Sequence, residues 1–173
     1  MTHPGGNMDE TDDIETSLAS FIRQLEDSKE RFLELRKCSF FDPIPNEYLE
    51  SISKLVRIRS FSAGDRLTRE KEPTDTFYVV LLGTTTAYCN EKEVGNIVSG
   101  ECIGEGAFFS NDKISRSATV IADDQVVAAE LDKTGIEILR SDAKAKDYMD
   151  KALLIALFKK LPDANLRIQE LLD

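Results

Sequence analysis

The sequence predicts a mainly β protein with flanking α-helices. The expected core is a double-sheet β jelly-roll barrel of about eight strands, with helices before and after it. Three observations point there. Short runs of β-branched and aromatic residues follow one another through the middle of the chain. Turn signals rather than helix-length inserts separate them, which excludes a βαβ fold. Apolar residues at helical spacing return at both ends.

The chain divides accordingly. Residues 1–11 (MTHPGGNMDET) are expected to form a flexible tail. Residues 12–38 read as an N-terminal helix. Within it Ile14, Leu18, Phe21, Leu25, Phe32 and Leu35 follow a four-three spacing broken at Ser28. Asp12, Asp13 and Glu15 suit its positive end. That apolar stripe fits packing on its own domain and docking on a partner chain equally.

The barrel is assigned to residues 39–132. Asp42-Pro43-Ile44-Pro45 stops the helix, and Asn46 is placed to cap a second one over residues 47–54. Strands are then expected at 56–61, 76–82, 84–89, 94–98, 117–121 and 126–131. Gly64-Asp65, Pro73-Thr74-Asp75, Asn90-Glu91, Ser99-Gly100 and Asp123-Asp124 supply the turns between them.

Residues 133–173 return to helical spacing: a short helix over 134–140, then a longer one from Ser141 or Asp142. Leu154, Phe158, Leu161, Asn165, Ile168 and Leu172 form its seam. Pro162 is expected to kink or restart this helix. Asn165 fits either a register-fixing polar residue in a coiled coil or a capping residue beside the proline.

Composition narrows the function. With 22 Lys and Arg against 32 Asp and Glu, the net charge is −10. Such a surface repels nucleic acid and anionic membranes, so neither is an expected partner. No apolar run approaches the length of a bilayer span, and residues 1–20 lack a secretory pattern. Cys38, Cys89 and Cys102 form neither a disulfide framework nor a metal motif, which suggests a reduced, cytoplasmic protein. His3 is the only histidine. No catalytic residues, metal site or cofactor are therefore expected, and the protein is read as a non-enzyme.

One constellation carries chemistry. In Gly104-Glu105-Gly106-Ala107 two glycines flank a carboxylate, which lets the backbone turn tightly and approach a ligand. Ala107-Phe108-Phe109 can begin a helical turn with free N–H groups. The polar stretch 110–115 then leads to Arg116, whose guanidinium offers the fork that a phosphate needs. Glu105 repels phosphate but accepts hydrogen bonds from sugar hydroxyls. These groups together suit a sugar-phosphate. Arg116 equally suits a surface strand position paired with Asp123 or Asp124.

From about Phe40 to Leu139 the chain resembles the cyclic nucleotide-binding domain shared by catabolite activators, regulatory subunits of cyclic AMP-dependent kinase and cyclic nucleotide-gated channels. Phe61-Ser-Ala-Gly-Asp65 resembles its first glycine turn. Asp75-Thr-Phe-Tyr-Val-Val-Leu-Leu-Gly83 resembles its central strand. Gly100-Glu-Cys-Ile-Gly-Glu105, continued to Arg116-Ser-Ala-Thr-Val120, resembles its phosphate-binding cassette. Residues 122–132 resemble its closing strand.

The resemblance implies that Arg116 pairs with the cyclic phosphate and Glu105 accepts from the ribose 2′-hydroxyl. It places the amides of Gly106 and Ala107, with Gly104 beside them, against the sugar-phosphate. Ser117 would add a hydroxyl or amide, and Val94 and Gly95 would form the wall beside the base. Three departures stand out: Gly106 where the family has leucine or isoleucine, a longer cassette loop, and Lys71-Glu72 where a glycine is common.

The resemblance thus implies a non-catalytic sensor of cyclic AMP, with cyclic GMP as the alternative ligand. The C-terminal helix, with Leu153, Leu154 and Leu157, would act as a lid that closes over the base or repacks on the barrel, and residues 142–160 would gain protection on binding. A homodimer or a partner protein is expected at the terminal helices. The competing expectation is a domain of the same fold that binds no nucleotide and serves as a helix-mediated interaction module.

Overall fold

The computed structural model describes residues 10–172. The expected tail lies largely outside the described residues, although Glu10 and Thr11 already belong to a helix. Helix α1 (Glu10–Gln24) and helix α2 (Ser28–Lys37) replace the single helix expected over 12–38. The break has a local cause. Asp27 caps α2, accepting from the amides of Lys29 at 2.7 Å and Glu30 at 3.4 Å. Arg31 donates to the carbonyls of Leu25 and Glu26, and to Ser53 in the next helix.

A 3-10 turn at Ser39–Phe41 leads to α3 (Asn46–Leu55). Pro45, not Asn46, holds the N-cap position of α3, and no side chain caps it. Proline suits a helix start because the missing N–H has no partner there in any case.

Ten strands follow among the described residues. They are β1 (Arg57–Phe61), β2 (Arg66–Thr68), β3 (Pro73–Thr74), β4 (Phe77–Leu82), β5 (Thr84–Cys89), β6 (Lys92–Val98), β7 (Cys102–Ile103), β8 (Ile114–Ser115), β9 (Thr119–Ala122) and β10 (Val126–Leu131). One antiparallel sheet has the order β1-β10-β4-β7, a second β2-β9-β5-β6, and β3 pairs with β8. The two larger sheets form the expected jelly-roll-like core.

Side-chain alternation explains the layering. Tyr78 and Val80 of β4 and Val126 and Ala128 of β10 point between the sheets, where they meet Leu67, Ala87, Ile97 and Val120. Phe77, Val79, Ala129 and Leu131 point the other way, into a core shared with helices. β10 is buried along its whole length because both its faces are covered.

That second core holds Leu49 and Ile52 of α3. It also takes Ile136 and Leu139 of α5 (Lys133–Ser141), and Met149 and Leu153 of α6 (Ala143–Leu172). Each such side chain contributes about 1.5–3 kcal/mol of hydrophobic stabilisation. Asp132 caps α5 by accepting from the Gly135 amide at 2.9 Å.

α6 runs for 30 residues with Pro162 inside it, so the proline does not restart the helix. The proline removes one helical bond, to the carbonyl of Phe158, at an exposed turn that solvent reaches. Asn165 lies inside this helix and is exposed, so it is not a cap. No helix among the described residues is long and apolar enough to cross a membrane.

Candidate functional site

β7 ends at Ile103, and the chain turns at once. Gly104 has φ +79°, a left-handed conformation that costs any other residue strain. A second constraint is steric. A Cβ on Gly104 would lie 1.6 Å from Arg116 Nη1. The guanidinium therefore rests directly on the glycine backbone. Glu105 opens the short helix α4 (Gly106–Phe109), and the loop returns through β8 to Arg116.

Arg116 is 8% exposed. Its backbone is tied on both sides: its amide donates to Glu72 and its carbonyl accepts from Lys71. Its Nη2 donates to Thr76 Oγ1 at 3.1 Å, and that hydroxyl also lies 3.2 Å from Thr74 Oγ1. The Tyr78 ring lies 5.8 Å from the guanidinium carbon, within cation–π range. Nη1 is buried and has no protein acceptor. Burial lowers the pKa of Arg116, and Tyr78, Glu105, Glu72 and Asp75 offset only part of that fall.

The alternative pairing of Arg116 with Asp123 or Asp124 does not occur. Asp123 accepts from Thr86, and Asp124 accepts from the amide and hydroxyl of Thr84. The arginine belongs to the Gly104 turn.

Glu105 is in a different state. Lys160 of α6 donates to its carboxylate at 3.0 Å and to the Cys102 carbonyl at 2.8 Å. The Glu105 side chain keeps 18% of its surface exposed and the Lys160 side chain 33%. Burial presses the lysine pKa down, but the facing Cys102 and Glu105 outweigh it, so the net shift is upward.

The remaining expected positions divide. Ala107 is buried, and its amide donates to the Gly104 carbonyl at 3.1 Å, so that amide is not free as expected. Gly106 explains its own departure from the family pattern. A Cβ there would lie 2.8 Å from Ile114 Cδ1, so the isoleucine of β8 fills the space that a larger cassette residue would need. Lys71 has φ +65°, so the left-handed turn expected of a missing glycine is present without one.

Ser117 is exposed immediately after Arg116. Val94 and Gly95 lie on the edge strand β6, with Gly95 opposite Ala87 and Val94 42% exposed. The structure thus brings Gly104, Glu105, Gly106 and Ala107 together in one turn with Arg116 packed against it, whereas Val94 and Gly95 lie on β6, at the edge of the other large sheet.

Sequence reasoning missed Thr76, Tyr78 and Lys160. Thr76 and Tyr78 read only as strand residues. Lys160 lies 55 residues from Glu105, and its sole signal was a charged residue beside an apolar helical seam. Sequence reasoning also passed over Arg140, which donates to the Ser110 carbonyl and Asn111 side chain and ties the cassette loop to α5. No cluster of potential metal ligands occurs among the described residues.

The family model described as "Cyclic nucleotide-binding domain" matches residues 58–142. Human cGMP-dependent protein kinase 2 is 29% identical over 100 residues, covering 54% of this chain and 13% of the kinase. A cAMP-dependent protein kinase regulatory subunit of Hypocrea atroviridis is 31% identical over 88 residues, covering 51% of this chain and 19% of that subunit. The chain thus spans a fifth or less of the length of these relatives.

Among solved structures, a cyclic nucleotide-binding domain from Methylobacillus flagellatus superposes with a TM-score of 0.68 at 20% identity, covering 83% of each chain. The regulatory subunit of a cAMP-independent protein kinase A from Trypanosoma brucei gives 0.66 at 21% identity, covering 87% of this chain and 51% of that one. A triple variant of the same subunit, with one threonine changed to arginine, is described as bound to cAMP in its A site. At these identities the structural likeness speaks for the fold.

Proposed function

Because residues 58–142 belong to the cyclic nucleotide-binding domain family, we propose that this chain is a non-catalytic cyclic nucleotide sensor. It binds the ribose-phosphate at the Gly104–Arg116 turn and passes its state to a partner through the C-terminal helices. The observation that carries the reading is the buried Arg116 Nη1 without a protein acceptor. An unpaired buried guanidinium nitrogen is costly, and a phosphate oxygen is the acceptor whose charge and fork geometry suit it.

The roles follow from position. Arg116 pairs with the cyclic phosphate, its fork aimed by Thr76 and Tyr78. Glu105 accepts from the ribose 2′-hydroxyl. Gly104 makes room for the Arg116 fork and Gly106 for Ile114, so that the turn presents its backbone to the sugar-phosphate, and Ser117 adds a hydroxyl beside the phosphate. Val94 and Gly95 stand on the base side, where a Cβ added to Gly95 would meet nothing within 4 Å. These contacts read the ribose-phosphate common to both purine nucleotides. Cyclic AMP is the first ligand to test and cyclic GMP the second, since relatives carry both names.

The test is calorimetric titration of cAMP and cGMP against wild type and Arg116→Ala. We expect wild type to bind and the variant to lose at least about a hundredfold in affinity, the scale of removing one partner of a buried charge pair. Ligand should raise the melting temperature of wild type alone. Wild type that shows neither heat nor thermal stabilisation at millimolar nucleotide would favour the interaction module.

A further inference from the structure

Lys160 donates to one oxygen of the Glu105 carboxylate, and a ribose hydroxyl that approaches that oxygen has to compete with the ammonium group. Lys160 bridges two acceptors of the cassette strand and turn, the Cys102 carbonyl and the Glu105 carboxylate. Its place on α6 gives this contact leverage. The first part of the helix is fixed by burial, with Met149, Ala152 and Leu153 at 1% exposure or less. Beyond Leu153 the helix changes character. Leu154, Phe158 and Leu161 are 51%, 68% and 51% exposed. Lys160 is thus the polar anchor of a segment with little packing of its own, beside a small cavity lined by Gly100, Cys102, Ile155 and Lys160.

Resting on the nucleotide reading above, we propose that Lys160 is an intramolecular latch. It occupies the ribose-binding carboxylate in the ligand-free protein and must release it when nucleotide binds. Ligand binding and release of the distal half of α6 are then one coupled equilibrium. This reverses the direction expected from sequence, where the helix closed onto the site. In the structure the helix already reaches the cassette, so the ribose hydroxyl has to displace it. The exposed seam of Leu154, Phe158 and Leu161 is freed with it, which gives the chain a route from nucleotide to partner.

The latch has two readouts. Lys160→Met keeps the aliphatic stem and removes the charge. Without nucleotide, amides 154–166 should lose protection from hydrogen exchange in this variant, and Lys160→Arg should restore it. By calorimetry, cAMP should bind Lys160→Met about fivefold more tightly than wild type, the scale of one partly exposed ion pair. Lys160→Arg should return the affinity close to the wild-type value.

Equal or weaker binding by Lys160→Met, or unchanged exchange over 154–166, overturns the latch. If neither wild type nor Lys160→Met binds cAMP or cGMP, the nucleotide reading fails and the competition fails with it. If wild type binds and the methionine variant binds no tighter, the latch alone fails.

Discussion

Arg116 and Glu105 end and begin the same loop, yet the protein treats them in opposite ways. The guanidinium is buried, braced by Thr76, Tyr78 and the bare backbone of Gly104, and keeps one nitrogen without an acceptor. The carboxylate is half-buried and already satisfied by a lysine from a helix far along the chain. One anchor is preorganised and the other is occupied. A sensor benefits from that division. The rigid anchor supplies affinity at little ordering cost, and the occupied one converts binding into a structural change.

The largest expected effect breaks the rigid anchor. Gly104→Ala would force a side chain into a left-handed turn and against the guanidinium. The backbone strain alone is worth about 1–3 kcal/mol. Moving Arg116 should cost about 2–3 kcal/mol more in nucleotide binding, the range of a charge-assisted hydrogen bond. Denaturant melts and calorimetry measure the two separately. Gly95→Ala is the contrast: its added Cβ meets nothing within 4 Å, so its stability should stay at wild type. Wild-type affinity in Gly104→Ala would mean that Arg116 does not bind the ligand.

A smaller effect is expected at Thr76. Thr76→Val keeps the shape and removes the acceptor of Arg116 Nη2. We expect roughly tenfold weaker nucleotide binding, and recovery in Thr76→Ser, which restores the hydroxyl. A purely structural role would lower the melting temperature of the valine variant but leave its affinity in place. Thr76 positions the arginine, so affinity is the readout that decides.

These two residues also show what the sequence could tell. Gly104 was legible because two glycines around a carboxylate are unusual chemistry. Thr76 was not, because a threonine at the head of a β run is what strand propensity alone would place there. Within the fold, β4, β5 and β10 were legible as six-residue runs bounded by turn signals. β2, β3, β7 and β8 are two or three residues long, too short for any period to show.

The break between α1 and α2 showed in the sequence only as a lapse of apolar spacing at Ser28, because the spacing continues on both sides of it. The cap of Asp27 and the bonds of Arg31 are what turn that lapse into two helices. Lys160 was beyond reach for a different reason. Helical spacing shows which face of α6 is apolar, but not what the helix crosses, and the ion pair depends on that crossing.

The smallest effect is expected near the occupied anchor, and at neutral pH it should vanish. Burial raises the Cys102 thiol to about 12 and the Cys38 thiol to about 11, from an ordinary value near 9. Both folded values exceed the unfolded one, so the fold prefers the protonated thiol. That stability is present in full below about pH 9 and is lost as pH rises from 9 toward 11 and 12. Melting temperatures should therefore show no thiol-linked slope between pH 7 and 8.5 and a falling one above 9, and Cys102→Ala should make the alkaline fall shallower. An equal slope in wild type and variant would remove the buried-thiol account. The same burial makes Cys102 slow toward thiol reagents at neutral pH, since the thiolate is the reactive form. Cys102 lines the small cavity beside Lys160, whereas Cys38 sits by the turn before α3. Nucleotide that lifts the distal half of α6 should then speed the labelling of Cys102 and leave Cys38 unchanged. Equal acceleration at both thiols would mean that the whole helical layer loosens, and that the two anchors do not divide the work of binding and signalling.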